Sequence, residues 1–358
     1  MVINMELIFL DREDLSVLDF GYVEQEFNLI IDSVIPQKST FSVNKLEINA
    51  EVGDLVVIKN KEINYIGIIS SIQVDENKKI SKVQTSDFIS ILDVKVKLNS
   101  YSGNLSQYLY ELISKAYKTN SDAKQNIKYL TINKDFTSII GSLTFETDTI
   151  DSISSVVNTL NKAYFIGIKY NLIYKNGVIS GIELRIQNCV KGVILKSNYK
   201  GILDLVISSS GEQSVNKVVF YPSSENVTYR NAVSYYLLTD GTITTVSTSE
   251  KRYKNISSVS KIFKDADYDS LLTTAQSEML ISSLEHAITF NLETNNKVVK
   301  LFEDINVGDF IEFITPTKNY NTMITQIAFK NNLYQASVTL GEYRISLTDK
   351  IKLLSKKS

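Results

Sequence analysis

Val52-Gly53-Asp54-Leu55-Val56-Val57-Ile58 and, offset by 255, Val307-Gly308-Asp309-Phe310-Ile311 are the two stretches that decide the fold. Each places a Gly-Asp turn directly before an apolar run, and Gly supplies a backbone conformation that side chains resist. The same offset, applied without gaps, carries Asn64-Tyr65 onto Asn319-Tyr320, Ile69 onto Ile324, Ile72 onto Ile327, Val83 onto Val338 and Leu92 onto Leu347. Conservative pairs fill the spaces: Leu55 with Phe310, Val56 with Ile311, Ser70 with Thr325, Asp87 with Glu342, Phe88 with Tyr343. The identities are sparse. The coincidence of turns, polar loops and strand phases is what makes this an internal duplication. Each copy predicts a turn, a strand, a Tyr-led half-buried strand, a further strand and an acidic-aromatic pair.

Outward from the first copy, Met5 to Asp11 and Phe27 to Ile31 read as strands, and Phe41, Val43, Leu46 and Ile48 alternate at strand period. Val83 to Val96 closes this block. The period then changes. Leu105, Leu109, Leu112, Ile113 and Ala116 lie on one face of a helix, with Asn104 as its N-cap. A second helix is expected through Ile150, Ile153, Val157 and Leu160, starting at Asp148 or Thr149. Phe165 to Tyr174 and Val178 to Ile186 flank Asn176-Gly177, a hairpin signal because both residues tolerate φ > 0. Val218 to Tyr221, Tyr235 to Leu238 and Ile243 to Val246 read as strands, with a second tight hairpin at Asp240-Gly241. A third helix is expected from Asp267 to Leu284, with Leu272, Ala275 and Met279 on one side. Strands return at Ala287 to Leu292, Phe310 to Ile314, Met323 to Phe329 and Tyr334 to Leu340. The fold class is α+β and predominantly β, with no doubly wound sheet.

Composition bounds the function. The 358 residues allow two or three domains, and 43% hydrophobic with 22% charged residues is ordinary globular usage. A net charge of −2, with no run of five like charges, lacks the clustered basic footprint of a nucleic-acid reader. No apolar stretch approaches the roughly 18 residues of a membrane span, and Met1 to Leu10 has no basic segment of a signal peptide. Tyr (20) and Phe (15) are abundant while Pro numbers 3, which suits strands.

Candidate chemistry is thin. Cys189, the single cysteine, can form no disulfide within the chain and reads as a small half-buried strand residue. His286, the single histidine, leaves no His-His or Cys-His metal site, and no nucleophile elbow accompanies it. Asp265, Asp267 and Asp269 resemble the start of a calcium loop, but Ser270 stands where Gly is needed and Gln276 where Glu is needed. They read better as acidic residues at a helix N-terminus. No Gly-rich phosphate loop occurs. The tyrosines could stack sugars or bases, but in a β-rich chain they are mainly core or interface residues. Lys350, Lys352, Lys356 and Lys357 read as a solvated tail. The sequence nominates no catalytic, cofactor-binding or metal residue.

Met5-Glu-Leu-Ile-Phe-Leu-Asp11, Ala50-Glu-Val-Gly-Asp-Leu-Val-Val57 and Tyr65-Ile-Gly-Ile-Ile69 resemble the opening of the gp27-like baseplate hub proteins of long-tailed bacteriophage tails and related contractile injection systems. Tyr320-Asn-Thr-Met-Ile-Thr-Gln-Ile327, Leu340-Gly-Glu-Tyr-Arg344 and Leu347-Thr-Asp-Lys-Ile351 resemble their end. The resemblance implies two barrel-like tail-tube modules separated by α/β insert domains: residues 1–97 as the first barrel, 98–200 as an α+β insert, 201–285 as a β-rich insert with a C-terminal helix, and 286–358 as the second barrel. It implies a homotrimer in the virion, assembled in the bacterial cytoplasm. That trimer would adapt a sixfold tail tube or distal tail protein to a threefold spike or receptor-binding tip, and DNA would pass without sequence readout. No cofactor is implied. No long extension follows Lys350, so no hydrolase arm is expected. The alternatives are a receptor- or carbohydrate-binding tip protein and a cell-wall glycoside hydrolase, whose carboxylate pair is defined by separation in space rather than in sequence.

Overall fold

The computed structural model describes residues 5–341 except 34–36, 60–62, 135–138, 144, 146–147, 210–214, 240–241, 254–256 and 284–285. The Asp240-Gly241 hairpin, Glu342, Tyr343, Leu347 and the basic tail lie outside the described residues. No helix among the described residues is long and apolar enough to cross a membrane.

Six strands open the chain: β1 (Met5–Leu10), β2 (Val17–Asp32), β3 (Lys38–Val43), β4 (Leu55–Ile58), β5 (Ile66–Asp75) and β6 (Ile80–Asp87). They pair antiparallel in the order β1-β4-β5-β6-β3-β2, and β2 pairs back onto β1. The sheet therefore closes into a barrel through the β1–β2 pairing. Leu7, Phe9, Phe41, Val43, Val56 and Val83 are fully buried. A Cβ on Gly21 of β2 would stand 2.5 Å from Val43 Cγ1, so only Gly fits there. The expected strand through Leu46 and Ile48 is absent. β3 ends at Val43, and the chain turns as Lys45 reaches the Asp19 carboxylate at 2.5 Å. The strand expected to reach Val96 stops at Asp87, whose carboxylate caps a 3-10 helix, Phe88–Asp93, by accepting from Ile89 N.

The insert that follows holds β7 (Lys95–Lys97), β8 (Tyr101–Asn104), α1 (Leu105–Tyr117), β9 (Leu130–Lys134), β10 (Ile140–Leu143), β11 (Ile150–Ser152), α2 (Ile153–Tyr164), β12 (Ile166–Lys175) and β13 (Val178–Asn188). Asn104 caps α1 as expected, accepting from Ser106 N and Gln107 N. α2 starts later than expected. Ser152 is its cap, while Ile150 lies on β11, paired to β7 and 68% exposed. β12 and β13 form the expected hairpin, with Asn176 and Gly177 at φ +54° and +79°. β9 joins β13 in parallel. One apolar core spans Leu105, Leu109 and Ile113 of α1, Ile153, Val156 and Leu160 of α2, the alternating Ile182, Leu184 and Ile186 of β13, and Leu55, Val57 and Ile66 of the first barrel. Burying each such side chain contributes about 1.5–3 kcal/mol.

Next come β14 (Val190–Lys196), β15 (Ile202–Ser209), β16 (Lys217–Pro222), β17 (Val233–Leu237), β18 (Ile243–Thr244), β19 (Ser258–Phe263), a 3-10 helix Asp265–Ser270, α3 (Leu271–Ser283), β20 (His286–Glu293), β21 (Phe310–Ile314), β22 (Asn319–Lys330) and β23 (Gln335–Gly341). A second six-stranded module, matching the strand order of the first barrel, runs β14-β21-β22-β23-β20-β15 among the described pairings. β14 and β15 thus precede residue 286, where the sequence reading placed the start of this module. Two of its six strands come from residues 190–209, which the resemblance placed in the inserts, because strand partnership is set by long-range pairing. β14 pairs with β21 in parallel, whereas its counterpart β1 pairs with β4 antiparallel.

The chain forms two compact units. The first spans the described residues to Leu205 together with Thr289–Thr339, and the second spans Val206–Ile288 with Leu340 and Gly341. In the second unit, a sheet ordered β18-β17-β16-β19 packs on α3 through Val218, Phe220, Val259, Phe263, Leu271, Ala275 and Met279. The buried stripe of α3 begins at Leu271. Leu272, expected on that face, is 45% exposed.

The duplication is physical and holds to the individual hydrogen bond. Gly53 N donates to Ile69 O at 2.9 Å and Gly308 N to Ile324 O at 2.7 Å. Ile69 N donates to Asp54 O at 2.8 Å and Ile324 N to Asp309 O at 2.9 Å. Asp54 Oδ2 accepts from Glu51 N and Asp309 Oδ2 from Asn306 N, both at 2.8 Å. Strand register repeats too: Leu55 faces Ile68 as Phe310 faces Met323. Ser70 Oγ reaches Gln84 O as Thr325 Oγ1 reaches Thr339 O. Every one of these pairs obeys the offset of 255 read from sequence.

Gly53 and Gly308 sit at φ +101° and +86°. A Cβ on Gly308 meets nothing nearer than Ser33 Cβ at 4.0 Å, so Gly308→Ala isolates the backbone cost. Urea denaturation is expected to show a loss of about 1–2 kcal/mol.

Candidate functional site

The insert touches both barrels through two consecutive residues of β12. Successive side chains on a strand point to opposite faces, so neighbours can serve different partners. Lys169 Nζ lies 2.5 Å from Asp309 Oδ1, the acid of the second duplicated turn. Tyr170 OH donates to Asp87 Oδ2 at 3.1 Å, at the end of β6 in the first barrel. Asn64 Nδ2 donates to Tyr170 O at 2.7 Å, tying the loop before β5 to the same strand. Asn64, Asp87, Lys169 and Tyr170, with Asn158 and Asn161 of α2, border a cavity of about 100 Å³.

The electrostatics follow from burial. Asp87 accepts from Ile89 N and Tyr170 OH, but dehydration outweighs both bonds, nearby Asp32 adds repulsion, and its carboxyl is pushed up to about 7. Burial drives the Tyr170 phenol well above its ordinary range, and Asp87 reinforces the shift. In the ion pair, burial lowers Lys169 and raises Asp309, while their mutual attraction opposes both shifts. The copies diverge here. Asp54, equivalent to Asp309, accepts from Arg12 N at 3.3 Å and is 8% exposed.

The residues weighed from sequence fall elsewhere or prove structural. Cys189 borders the same cavity, but it lies between β13 and β14, fully buried rather than half-buried in a strand, and burial pushes its thiol up to about 11. It is therefore a thiol, not a thiolate, at neutral pH. His286 is the buried first residue of β20. Asp265 is occupied within the second unit. Its oxygens accept from Val227 N at 2.8 Å, Thr228 N at 3.0 Å and Arg230 Nε at 3.2 Å. Asp267 accepts from Lys264 N, so this acidic run shapes the start of a helix. The residues that sequence reading missed are Lys169 and Tyr170. Nothing local marks them, although Asp87 and Asp309 had been singled out through the repeat.

No family model and no curated protein sequence matches the chain. Solved structures do. A prophage tail protein from Listeria monocytogenes, gp18, superimposes with TM-score 0.56 at 14% identity over 98% of each chain. The chain has the fold of phage tail proteins. A tail protein from Neisseria meningitidis gives TM-score 0.56 at 12% identity, covering 94% of this chain and 96% of that one. A chain of the phage P2 baseplate in its activated conformation gives 0.50 at 12% identity, covering 94% and 98%. The predominantly β, α+β class read from sequence is the class observed. Its tail-protein fold runs through the middle of the chain, where the sequence resemblance was weakest.

Two outcomes are expected. Between pH 4 and 7 the folded protein holds a proton on Asp87 that the unfolded chain releases, so stability falls as pH rises through that window. Asp87→Asn should flatten this part of a pH series of thermal melts and leave the variant the more stable form above pH 7. Lys169→Met strands the buried Asp309 charge and should cost about 3–5 kcal/mol, and adding Asp309→Asn should recover most of it in a double-mutant cycle.

Proposed function

We propose that this chain is the structural hub of a phage tail, a homotrimer that adapts a sixfold tube to a threefold tip. The carrying observation is the register-for-register duplication of the barrel turn within one chain. A trimer offers a quasi-sixfold ring only if each subunit carries the contact surface twice. In this reading the tail tube or a distal tail protein binds one face of the ring, and a spike or receptor-binding protein binds the other. DNA crosses the central channel without sequence readout, which suits a net charge of −2. The work is done by shape, not catalysis, in the virion, after assembly in the host cytoplasm. The inserts between the barrels hold their orientation and present further surface.

A second reading rests on one observation. The loop after β16 is pinned by Asp265 and Asn226, yet it holds Val227 and Tyr229 at 97% and 92% exposure. Such a loop suits a tail-tip receptor- or carbohydrate-binding role. Light scattering and negative-stain class averages separate the two. The hub reading expects trimers of the 40.4 kDa chain with six-lobed averages. A strict monomer that binds glycan would move the assignment to the second reading.

A further inference from the structure

A groove of about 880 Å³ lies within the first unit, between two of its connections. One wall is the turn after β1, at Arg12 and Glu13, with Gly53 beside it. The other is the connection from α1 to β9, residues 123–129. Both walls are fixed from within. Arg12 N donates to Asp54 Oδ1 at 3.3 Å, which ties the β1 turn to the first Gly-Asp turn. Asn120 N donates to Asn126 Oδ1 and Ile127 N to Tyr117 O, each at 2.9 Å, which shapes the opposite wall. Tyr129 OH donates to Arg12 O at 2.9 Å and joins the two. A groove held in this way needs little ordering when something enters it.

Its chemistry has two sides. Leu55, Ile68, Phe88, Ile91 and Ile127 supply an apolar lining, and the three isoleucines are only half-buried. Arg12, Lys124 and Lys128 line it as exposed cations, against the single acid Glu13. None of the three cations forms an ion pair among the described residues. Neighbouring acids turn their carboxylates to backbone of their own loops: Asp11 accepts from Glu13 N, Asp14 from Ser16 N and Asp122 from Lys124 N. The groove is thus cationic on a chain whose net charge is −2.

The second copy shows how the equivalent face is covered. By the offset of 255, Gly53 and Leu55 correspond to Gly308 and Phe310. There the Phe165 ring sits edge-on to Phe310 at 4.7 Å, and Lys169 reaches Asp309 at 2.5 Å. An aromatic ring and a charge of the opposite sign cover that turn from within the chain. Beside the first turn the apolar lining is kept, but the available charges are positive.

We infer that this groove seats a short acidic segment of a partner protein, carrying one aromatic side chain. The ring packs on Ile68, Ile91 and Ile127, and the carboxylates face Arg12, Lys124 and Lys128. The apolar anchor supplies affinity, and the complementary charge around it sets orientation and speeds encounter.

Fluorescence anisotropy on the full chain tests it, with a labelled pentapeptide of aspartates and glutamates around one phenylalanine. Saturable binding is expected. Replacing the acids of the peptide by lysines should abolish it, and replacing its phenylalanine by alanine should weaken it about tenfold. Lys124→Glu with Lys128→Glu, both at exposed sites, should leave the circular dichroism unchanged and weaken binding about tenfold. Salt that shortens the screening length from about 30 Å to about 10 Å should weaken it as well. Equal binding of the acidic and basic peptides, or undiminished binding by the double variant, would overturn the inference. So would a peptide that fails to bind, or one displaced as the chain self-associates, which would give the groove to a second copy. None of these outcomes bears on the trimer reading, which rests on the duplication.

Discussion

β2 is longer than the barrel it belongs to, and its last residues need another partner. At 16 residues, it lies against β1 and β3 for its first two thirds and then runs on. Left in water, the remaining N–H and C=O groups would form an adhesive edge. Their pairing with β22, itself 12 residues long, satisfies them and fixes the second barrel against the first. Two modules separated by some 250 residues of sequence therefore become one sheet. The other contacts between the barrels depend on that alignment.

The insert exploits it. β12 can reach both barrels with adjacent side chains only because the seam brings Asp87 and Asp309 within one strand's reach. The two anchors differ in character. Lys169 and Asp309 are a buried ion pair, costly to dehydrate and more costly to break singly. Asp87 with Tyr170 is a pair in which burial raises the carboxyl to about 7, so that it titrates around neutral pH. A polar junction of this kind adds little net stability but rejects misaligned packing, since any slip strands a buried polar group.

What the sequence made legible was local or repeated. The Asn104 cap, the Asn176-Gly177 hairpin and the Gly-Asp turns each declare themselves within a few residues, because a particular φ or an orphan N–H demands a particular residue type. The duplication was legible because the offset preserves phase. The start of α2 was misplaced because Asp148, Thr149 and Ser152 are all competent caps, and pairing of β11 with β7 decided among them. β14 and β15 were missed as barrel strands because their partners lie roughly 85–120 residues away. Lys169 and Tyr170 sit in an ordinary alternating strand, and only the fold shows what each faces.

The two copies have kept their backbone and diverged in their side chains, and the divergence follows a rule. Where the seam is made within the chain, β22 presents Ala328, Phe329 and Lys330. Where the equivalent edge is open, β5 presents Gln73, Val74 and Asp75. On the closed seam Phe329 is fully buried, its ring stacked on Phe302 at 6.3 Å. On the open edge of β5, a smaller apolar residue flanked by an amide and a carboxylate limits stickiness. One strand design thus serves two settings: a seam closed within the chain, and an edge kept exposed but restrained.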